Sequence, residues 1–361
     1  MKILHVETGR HLWGGAQQVL YLVHGLGRLG IANVLVCTDD SAVSDNAPKD
    51  CLVVALPMAG DLDLAFIGRL KAVLKAEQPD LVHVHSRRGA DPLAAIAARL
   101  SGVPVIVSRR VDNAENRWLA RLKYRLYRKV IVVADGIREV LLAEGVPEDH
   151  LRLVHSGVDQ RRFKPDPDRG WLAADLGIAE GTIVIAMVAQ YIHRKGHRVM
   201  LDALPAVLEK HADLQVLCCG SGAGQEALAA QVAERGLAEH VRLLGFRDDL
   251  EKILPCCAMA LHPAITEGIC GAALQAQSCG VPVIASRVGG LPEAVAEDIS
   301  GLLVSPGDVE QLSCAMIRLL DDDALRQRLG DAGPECVAER FSISAMVQGH
   351  LEVYREVLNR H

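Results

Sequence analysis

Short runs rich in Val, Ile and Leu alternate with longer amphipathic stretches along most of this 361-residue chain. Such runs, separated by stretches with helical periodicity, are typical of parallel strands that are buried on both faces. The alternation occurs in two series, with a polar segment between them. The predicted strands lie at residues 3–6, 34–37, 81–85, 105–108 and 130–134 in the first series and at residues 183–189, 214–219, 241–245 and 281–285 in the second. The pattern predicts an α/β protein with two Rossmann-like, doubly wound parallel sheets.

The polar segment at residues 160–181 contains the run RRFKPDPDRG, a composition typical of a linker. It predicts an N-terminal domain at residues 1–160 and a C-terminal domain at residues 161–341. Residues 342–361 have the pattern of a helix with no strand after it, and we expect this helix to cross back to the N-terminal domain. Two such domains are expected to face a central cleft with the carboxyl ends of their sheets, where open α/β sheets bind ligands.

Composition excludes several classes of protein. A formal net charge of -6 gives no global attraction for nucleic acid, and an apolar content of 50% is enough for a substantial core. The 10 cysteines lack CxxC spacing and lie mostly in apolar runs, so we expect reduced core thiols rather than disulfides or zinc ligands. The N-terminus begins directly with a predicted strand, and no run is long and apolar enough to span a bilayer. These features predict a folded protein of the reducing cytoplasm.

Residues 262–286, HPAITEGICGAALQAQSCGVPVIAS, have the strongest functional pattern. A loop with Glu267 leads into a turn broken by Gly268 and Gly271, then a short apolar helix and a buried strand. A glycine-rich turn that opens a helix presents free backbone N–H groups and the positive end of the helix dipole, which bind phosphate. A carboxylate beside this turn would repel phosphate, so Glu267 is better suited to the hydroxyls of a sugar attached to it. The pattern therefore predicts a nucleotide-sugar site.

Four motifs in order resemble those of a known family. A GGAQ loop follows the first predicted strand, an SGVD turn precedes the polar segment, VAQYIHRKG follows the first strand of the second domain, and TEGICGAALQA is followed by GVPVIAS. This order resembles glycosyltransferase family 4 over essentially the whole chain, most strongly at residues 182–303. The resemblance implies GT-B architecture and retaining transfer from a nucleotide sugar, with no metal or other cofactor. It is nearest to bacterial enzymes of lipopolysaccharide and cell-surface glycans, which implies a glycan or lipid-linked acceptor, and a UDP-sugar is the commonest donor.

The resemblance also implies roles for residues of the second domain. Cleavage of a glycosyl phosphate leaves negative charge on the diphosphate, which fixed cations stabilise. Lys195, with Arg194 beside it, is expected to supply this positive charge. Glu267 is expected to orient the donor sugar, and Gln275 is expected to accept hydrogen bonds from the ribose. The other residues expected at the donor are Gly15 of the first domain and, in the second domain, Gln190, Phe246, Arg247, Gly268, Ile269, Cys270 and Gly271.

The chain departs from the family pattern at three positions. Gln190 lies where the family usually has an arginine, and Arg194 is expected to substitute for its charge. Gln275 replaces a second glutamate, and its amide oxygen accepts hydrogen bonds without charge assistance. Arg110 lies where the family commonly has a histidine near the reacting carbon. These departures leave two alternatives open, namely a non-catalytic sugar-nucleotide binder and a nucleotide-sugar epimerase of the same architecture.

The first domain is expected to bind the acceptor. Gly14 and Gly15 follow the first strand and open a helix at residue 16, which allows a ligand to approach the backbone closely. His83 and His85 lie two apart on a predicted strand, hence on one face, with His85 the more exposed. Acceptor contact or packing is favoured over a metal for this pair, because the sequence places no third ligand. The residues expected to contact the acceptor are Gly14, His85, Arg109 and Arg110, and the guanidinium of Arg110 suits a phosphate or carboxylate.

Residues 109–129 form the most basic part of the chain, with arginines and lysines interleaved with Trp, Leu and Tyr. Such a segment can form a helix that lies in an anionic membrane surface. It can equally form an ordinary surface helix with one buried stripe. The resemblance favours peripheral contact with the inner leaflet of the cytoplasmic membrane, because lipid-linked acceptors need the first domain near that surface.

Overall fold

The computed structural model describes residues 1–10, 14–39, 41–85 and 90–359. The chain divides into two compact units. Unit 1 consists of Met1–Gly157 together with Ile343–His361, and unit 2 consists of Val158–Ser342. Each unit is built around one parallel sheet.

The sheet of unit 1 has seven strands. They are β1 (Lys2–Val6), β2 (Ala32–Cys37), β3 (Leu52–Ala55), β4 (Leu81–Val84), β5 (Val105–Arg109), β6 (Val130–Val132) and β7 (Leu151–Leu153). The helices of this part of the chain are α1 (Gly14–Arg28), α2 (Ala42–Asp45), α3 (Ala65–Glu77), α4 (Ala90–Leu100), α5 (Arg117–Tyr124) and α6 (Asp135–Ala143). The strands lie in the order β3-β2-β1-β4-β5-β6-β7. The order reverses at β1, which pairs with β2 on one side and β4 on the other, and this is the switch point of the sheet.

The sheet of unit 2 has six strands. They are β8 (Ile183–Val188), β9 (Leu214–Cys219), β10 (Val241–Gly245), β11 (Met259–His262), β12 (Val283–Ser286) and β13 (Gly301–Val304). Its helices are α7 (Arg169–Leu176), α8 (His197–Leu208), α9 (Gln225–Glu234), α10 (Leu250–Ile253), α11 (Gly271–Ser278), α12 (Leu291–Ala294), α13 (Val309–Asp321) and α14 (Asp323–Arg340). The strand order is β10-β9-β8-β11-β12-β13, so the switch point of this sheet lies between β8 and β11.

The last helix, α15 (Ile343–Leu358), packs onto unit 1. Its side chains, including Met346 and Val347, join buried residues of β1, β4, β5, β6 and α1 in one apolar cluster. Gly25 of α1 permits a close approach of the two helices, since a Cβ there would lie 2.4 Å from Val347 Cγ2. Burial of each such aliphatic side chain contributes about 1.5–3 kcal/mol. The helix is therefore an integral layer of unit 1.

The predicted fold class, with two doubly wound parallel sheets, is confirmed, and each predicted strand overlaps an observed one. The sequence pattern does not predict β3, β7, β11 and β13. Three of these, β3, β7 and β13, are short edge strands. These strands have only three or four residues each, which is too short a run for the periodicity to identify a strand. Strand β11 is central but follows a 3-10 helix within one apolar stretch, in which the periodicity does not separate the two elements.

The interpretation of residues 160–181 as a linker is wrong in part. Helix α7 begins there, and the side chain of Asp168 caps it by accepting a hydrogen bond from Trp171 N at 2.8 Å. Phe163 and Leu172 are buried in the core of unit 2. Most charged side chains around them are exposed, so the composition conceals the buried residues.

Within the described residues, no helix is both long enough and apolar enough to cross a lipid bilayer. All ten cysteines are unpaired, and eight of them are buried. Burial raises the pKa of Cys51 to about 11 and that of Cys270 to about 12. Such thiols are protonated at neutral pH and pack as small apolar side chains.

Candidate active site

Two loops of unit 2 meet at the switch point of its sheet. One follows β8 and contains the 3-10 helix His193–Lys195, and the other follows β11 and includes Glu267. Strands β8 and β11 are neighbours, so their carboxyl ends are adjacent. The backbone also joins the loops, since Ile265 N donates to Arg194 O at 2.8 Å. The strand order therefore brings together the two segments that contain the predicted catalytic residues.

Lys195 and Glu267 form an ion pair between these loops. Nζ of Lys195 contacts Oε2 of Glu267, and the two side chains are only 14% and 10% exposed. The other carboxylate oxygen of Glu267 accepts a hydrogen bond from Gly268 N at 3.2 Å. A largely buried charge is tolerated only when it is paired and hydrogen-bonded, so each residue keeps the other in place. The ammonium and the carboxylate thus lie at one point of the strand-end surface, as the nucleotide-sugar hypothesis requires.

Two glycines allow the backbone to pack closely around this ion pair. Gly196 has φ +79°, and a Cβ there would lie 1.8 Å from the carbonyl oxygen of Pro263. Gly289, which follows β12, has φ +52°, and a Cβ there would lie 1.6 Å from the carbonyl oxygen of Glu267. Any side chain at either position would displace backbone beside the ion pair. The geometry of the site therefore depends on glycine at both positions.

The glycine-rich turn after β9 supports the loop that contains Lys195. A Cβ at Gly220 would lie 2.0 Å from the carbonyl oxygen of Ala189, and a Cβ at Gly224 would lie 2.5 Å from that of Tyr191. Gly224 N donates to Tyr191 O at 2.9 Å. Close approach of the two loops accounts for the glycines of this turn without a bound dinucleotide.

The other predicted donor residues of unit 2 also follow the carboxyl ends of its strands. Arg194 is half-buried, and its guanidinium forms no ion pair with a residue in the described ranges. Gln190 is half-buried in the same loop. Gln275 is half-buried on α11, a helix that begins at Gly271 with Cys270 as its N-cap residue. Arg194 and Gln190 thus lie in the segment after β8, and Gln275 lies in the helix that follows β11.

Arg247 and Phe246 follow β10 and differ in their surroundings. The guanidinium of Arg247 donates to Asp249 at 2.8 and 2.6 Å and to Asp175 at 2.8 Å. Hydrogen bonds to these carboxylates raise the pKa of Arg247. Phe246 is 68% exposed. The aromatic ring is therefore exposed, whereas carboxylates hold the guanidinium of Arg247.

Cys270 and His262 lie next to the ion pair and are uncharged at neutral pH. Sγ of Cys270 is 3.4 Å from Nδ1 of His262, and both residues are buried. Burial, with a smaller effect of the Lys195 charge, lowers the pKa of His262 to about 3. Burial raises the pKa of Cys270 to about 12. A neutral thiol hydrogen-bonded to a neutral imidazole is not an activated nucleophile.

A cluster of histidines occupies the switch point of unit 1. His5 on β1 lies opposite His83 on β4, and His85 directly follows β4. His85 was expected to be more exposed than His83, but both are buried, with exposed fractions of 1% and 0%. The rings pack on one another, with centroids 5.3 Å apart for His5 and His85 and 3.9 Å for His83 and His85. Helix α15 contributes His350 and Tyr354 to the same cluster. Sequence patterns missed these two residues and His5, because only the strand pairing and the return of α15 bring them to this point.

This cluster includes the third histidine that a metal site would need. The ligand atoms of His5, His83 and His85 lie within 4.8 Å of one another. Both ring nitrogens of His83 already have partners, in Tyr354 at 2.7 Å and Ser108 at 2.8 Å. Nδ1 of His5 and Nε2 of His85 are hydrogen-bonded at 3.0 Å. Three imidazoles are a suitable ligand set for a metal ion. Both nitrogens of His83 already form hydrogen bonds, however, so His83 would have to give up one of them to bind a metal.

The two consecutive arginines after the predicted strand point to opposite faces of the sheet, because side chains alternate along a strand. Arg109 is buried and donates to Glu115 at 3.1 Å. Arg110 lies on the side of the sheet that carries His85. Burial lowers the pKa of His85, and the positive charge of Arg110 lowers it further. Its Cδ is 3.6 Å from the position of a Cβ on Gly15. The structure therefore brings Arg110, His85 and Gly15 together and leaves Arg109 apart from them.

The glycine loop before α1 is described only in part. Residues 11–13 lie outside the described residues, and α1 begins at Gly14 rather than at residue 16 as predicted. Gly14 is exposed, and no described atom lies within 4 Å of a Cβ built there. Of the two glycines, only Gly15 contacts the residues at the switch point.

Within the basic segment, α5 extends only over Arg117–Tyr124. Ala120 and Tyr124 form its buried stripe. A second apolar stripe faces outward, since Trp118, Leu119 and Leu122 are 78%, 65% and 66% exposed. The arginines that flank this stripe are exposed and form no ion pair with a described carboxylate: Arg117, Arg121, Arg125 and Arg128.

Two Rossmann-like units are the architecture of the GT-B class of glycosyltransferases, and the unit 2 switch point contains the Lys195–Glu267 ion pair. Two family descriptions match the chain, and both are of glycosyltransferases. "Glycosyl transferases group 1" matches residues 170–335, and "Glycosyltransferase Family 4" matches residues 13–162. The protein belongs to the family 4 glycosyltransferases of GT-B architecture.

Solved structures show the same fold. A glycosyltransferase from Rickettsia africae has a TM-score of 0.90 at 19% identity, with 100% of this chain and 99% of that chain covered. HepE from Anabaena, solved in complex with UDP and glucose, has a TM-score of 0.86 at 20% identity, with 98% and 99% covered. At these identities the likeness concerns the fold alone.

Relatives of known activity are also similar in sequence. A D-inositol 3-phosphate glycosyltransferase from Corynebacterium jeikeium is 36% identical over 57% of this chain and 52% of its own length. The match thus spans about half the length of that relative. The UDP-Gal:alpha-D-GlcNAc-diphosphoundecaprenol alpha-1,3-galactosyltransferase of Escherichia coli is 27% identical over 80% of this chain and 77% of its own length.

Proposed function

We propose that this protein is a retaining glycosyltransferase that moves a sugar from a UDP-sugar to a hydroxyl group of a glycan or lipid-linked acceptor. The observation that most supports this function is the Lys195–Glu267 ion pair at the switch point of unit 2. The similar proteins support the choice of donor and acceptor, since the Escherichia coli relative is named for UDP-galactose and a diphosphoundecaprenol acceptor. HepE, of the same fold, was solved with UDP.

In this proposal the residues of unit 2 hold the donor and stabilise its leaving group. Lys195 and Arg194 bind the diphosphate, and Glu267 accepts hydrogen bonds from hydroxyls of the donor sugar. The bond between the sugar C1 and the diphosphate oxygen breaks, and the electron pair leaves with UDP. The acceptor oxygen bonds to C1 on the same face and transfers its proton to the departing phosphate. Fixed positive charge at this point stabilises the transition state more than the ground state, which is the condition for catalysis.

Two further side chains are assigned to the nucleoside. Gln275 accepts a hydrogen bond from the ribose through its amide oxygen. The exposed ring of Phe246 contacts the base. Gln190 contributes no charge, so Arg194 supplies the second cation at the diphosphate.

Calorimetric titration with UDP, GDP and ADP tests the donor site. We expect UDP to bind and Lys195→Ala to weaken its affinity about tenfold or more, because a charge-assisted hydrogen bond to phosphate is lost. Arg198→Ala is the matched control, since Arg198 is an exposed cation three residues away that pairs with Asp202. Failure of all three nucleotides to bind would contradict the proposed function.

Proton NMR of the reaction products separates the remaining alternatives. A retaining transferase forms a product with the anomeric configuration of its donor. An epimerase would convert UDP-glucose and UDP-galactose into each other with no acceptor present. Tight binding of UDP without turnover across a panel of acceptors would identify a non-catalytic binder.

We propose further that α5 holds the protein at the cytoplasmic surface of an anionic membrane, where lipid-linked acceptors lie. The exposed stripe of Trp118, Leu119 and Leu122 lies among arginines that have no described carboxylate partner. Apolar side chains inserted among headgroups and basic side chains above them are the two contributions to such binding.

The double substitution Trp118→Ser and Leu122→Ser is expected to weaken binding to vesicles of phosphatidylglycerol about tenfold or more, because each exposed apolar side chain contributes burial energy at the interface. Cosedimentation with vesicles measures this effect. The matched control is Leu62→Ser and Leu64→Ser, at two leucines of unit 1 that are 90% and 69% exposed outside α5. Equal binding by the α5 variant and the wild type would contradict membrane contact through this helix.

A further inference from the structure

Four buried polar atoms at the switch point of unit 1 have no hydrogen-bond partner in the described part of the chain. They are Nδ1 of His85, Nε2 of His350, and Nε and Nη2 of Arg110. Buried polar groups in native proteins are nearly always paired, and an unpaired one costs about 1–3 kcal/mol. Several of them at one point indicate a bound group that completes their hydrogen bonds.

A chain of hydrogen bonds that begins at Asn33 determines which nitrogen of His85 carries the proton. Nδ2 of Asn33 donates to backbone oxygens of Val23 and Ile31 at 3.4 and 2.8 Å, so Oδ1 of Asn33 faces Nε2 of His5 at 3.1 Å. An amide oxygen only accepts, so Nε2 of His5 is protonated and its Nδ1 has a lone pair. That lone pair lies 3.0 Å from Nε2 of His85 and requires a proton there.

The lone pair of His85 therefore lies on Nδ1, the atom without a partner. This conclusion holds for neutral rings, and burial makes both rings neutral. It lowers the pKa of His5 to about 4 and holds the pKa of His85 well below 6.5. At neutral pH, Nδ1 of His85 is a hydrogen-bond acceptor that faces no donor within bonding distance among the described residues.

His350 presents a second lone pair in the same cluster. Its Nδ1 is 2.8 Å from the carbonyl oxygen of Met346, which can only accept, so the proton lies on Nδ1. Nε2 of His350 is thus an acceptor, and burial lowers the pKa of this ring to about 3. After burial, the positive charge of Arg110 also contributes to the lowered pKa of both His85 and His350.

One kind of chemical group matches two imidazole lone pairs beside guanidinium donors. A carboxylate or a phosphodiester has only acceptor oxygens at neutral pH, which the lone pairs repel. A hydroxyl oxygen can accept from Arg110 while its hydrogen is donated to Nδ1 of His85. We propose that His85 and Arg110 form a subsite for a hydroxyl group of a polyol, such as a sugar or cyclitol, and that Asn33 and His5 position its acceptor atom.

The proposal rests on the proposed function only in identifying this polyol with the acceptor of sugar transfer. It revises the sequence-based interpretation of Arg110 as a residue for a phosphate or carboxylate. His85 and Arg110 would contact the ligand, whereas His5 and Asn33 would act through His85 as positioning residues.

Nitrogen-15 NMR of protein labelled at histidine tests the tautomer directly. We expect His85 to be protonated on Nε2 and unprotonated on Nδ1 at neutral pH, with His85→Asn used to assign its signals. Asn33→Leu removes the start of the chain and is expected to give His85 a mixture of tautomers. Ser108→Ala is the matched control, because it removes a buried partner of His83 in the same cluster and leaves the chain from Asn33 intact. A proton on Nδ1 of wild-type His85, or an unaltered tautomer in Asn33→Leu, would contradict the chain of hydrogen bonds from Asn33 through His5 to His85.

Titration of the same sample tests the ligand. Myo-inositol and galactose are the hydroxyl probes, and acetate, which has no hydrogen to donate at neutral pH, is the anion probe. We expect both polyols to shift the Nδ1 signal of His85 and acetate to leave it unchanged. A shift with acetate alone would overturn the hydroxyl assignment. No shift with any of the three would mean that Arg110 or water completes the hydrogen bonds, and would overturn the subsite.

Two variants separate a ligand contact from a structural role. His85→Leu removes the acceptor atom and is expected to weaken polyol affinity about tenfold or more, since the hydrogen bond is lost and the Arg110 donors remain unpaired. His85→Asn retains an acceptor oxygen near the Nδ1 position and is expected to restore part of that affinity. Equal polyol affinity in His85→Leu and the wild type would refute the proposal. These measurements need no nucleotide, so loss of UDP binding would refute the proposed function without affecting the subsite, and the converse also holds.

Discussion

Lys195→Ala is expected to lower kcat by roughly 100- to 1000-fold, the usual effect of removing one group that stabilises transition-state charge. The side chain of Lys195 is 14% exposed and its ammonium contacts Glu267, so its charge acts in surroundings with little water to screen it. Glu267→Gln is expected to lower kcat while UDP binding is retained, because Glu267 is assigned to the sugar and UDP has none. Steady-state kinetics with UDP-sugar, together with calorimetry of UDP, distinguish the two roles.

Loss of folding has to be separated from loss of catalysis in these variants. Removal of Lys195 leaves the carboxylate of Glu267 largely buried without its partner, a change that typically costs about 3–5 kcal/mol of stability. Lys195→Met combined with Glu267→Gln removes both charges and is expected to recover stability without recovering turnover. Lys195→Arg retains a cation and is expected to keep part of the activity. Full activity in a folded Lys195→Ala protein would show that the diphosphate binds elsewhere.

Acidification from neutral pH to about pH 5 is expected to lower the free energy of unfolding steeply, by roughly 5–10 kcal/mol. Burial lowers the pKa of His5 and His197 to about 4 and that of His262 and His350 to about 3. In the unfolded chain these rings return to an ordinary pKa near 6.5. Their contribution to stability is complete above pH 6.5 and decreases below it, because the unfolded state then binds protons that the folded state does not. Each such ring contributes a slope of about 1.4 kcal/mol per pH unit.

Urea unfolding at several pH values between 7 and about 5 measures this slope. Burial also holds the pKa of His83 and His85 well below 6.5, so unit 1, with its four-histidine cluster, is expected to lose stability before unit 2. His350→Phe is expected to reduce the slope by about 1.4 kcal/mol per pH unit. His24→Phe, at an exposed position, is the control and is expected to leave it unchanged. Equal urea midpoints at neutral pH and pH 5 would show that the rings are solvated.

The central strands were predictable from sequence because burial on both faces requires continuous apolar runs. Strands β1 and β9 show this pattern and were placed nearly to the residue. The edge strand β3 was missed although its residues, LVVA, are all apolar, since a run of four residues does not distinguish a strand from other apolar segments. Phe163 and Leu172 were missed because the residues around them are polar and predicted a linker.

The candidate site was predictable where a residue lies in a glycine-bounded loop that follows a buried strand. Lys195 and Glu267 satisfy this condition, and the structure places them in contact. His85 follows a strand as well, but its burial depends on other strands and on α15. Arg109 and Arg110 are adjacent in sequence, yet only Arg110 lies beside the histidines. Such differences depend on which face of the sheet each side chain occupies and on what covers that face.

The sequence by itself determined the local features of this protein: the central strands, the glycine turns, and the positions of the charged and imidazole side chains at strand ends. Apolar runs and residues with special backbone freedom are local properties, so a single chain segment specifies them. Only the tertiary structure decided that β8 lies beside β11, and that β1 lies beside β4 beneath α15. These strand pairings bring Lys195 to Glu267 and complete the chain of hydrogen bonds from Asn33 to His85. Strand order and burial arise from packing between segments that are distant along the chain, so no single segment specifies them.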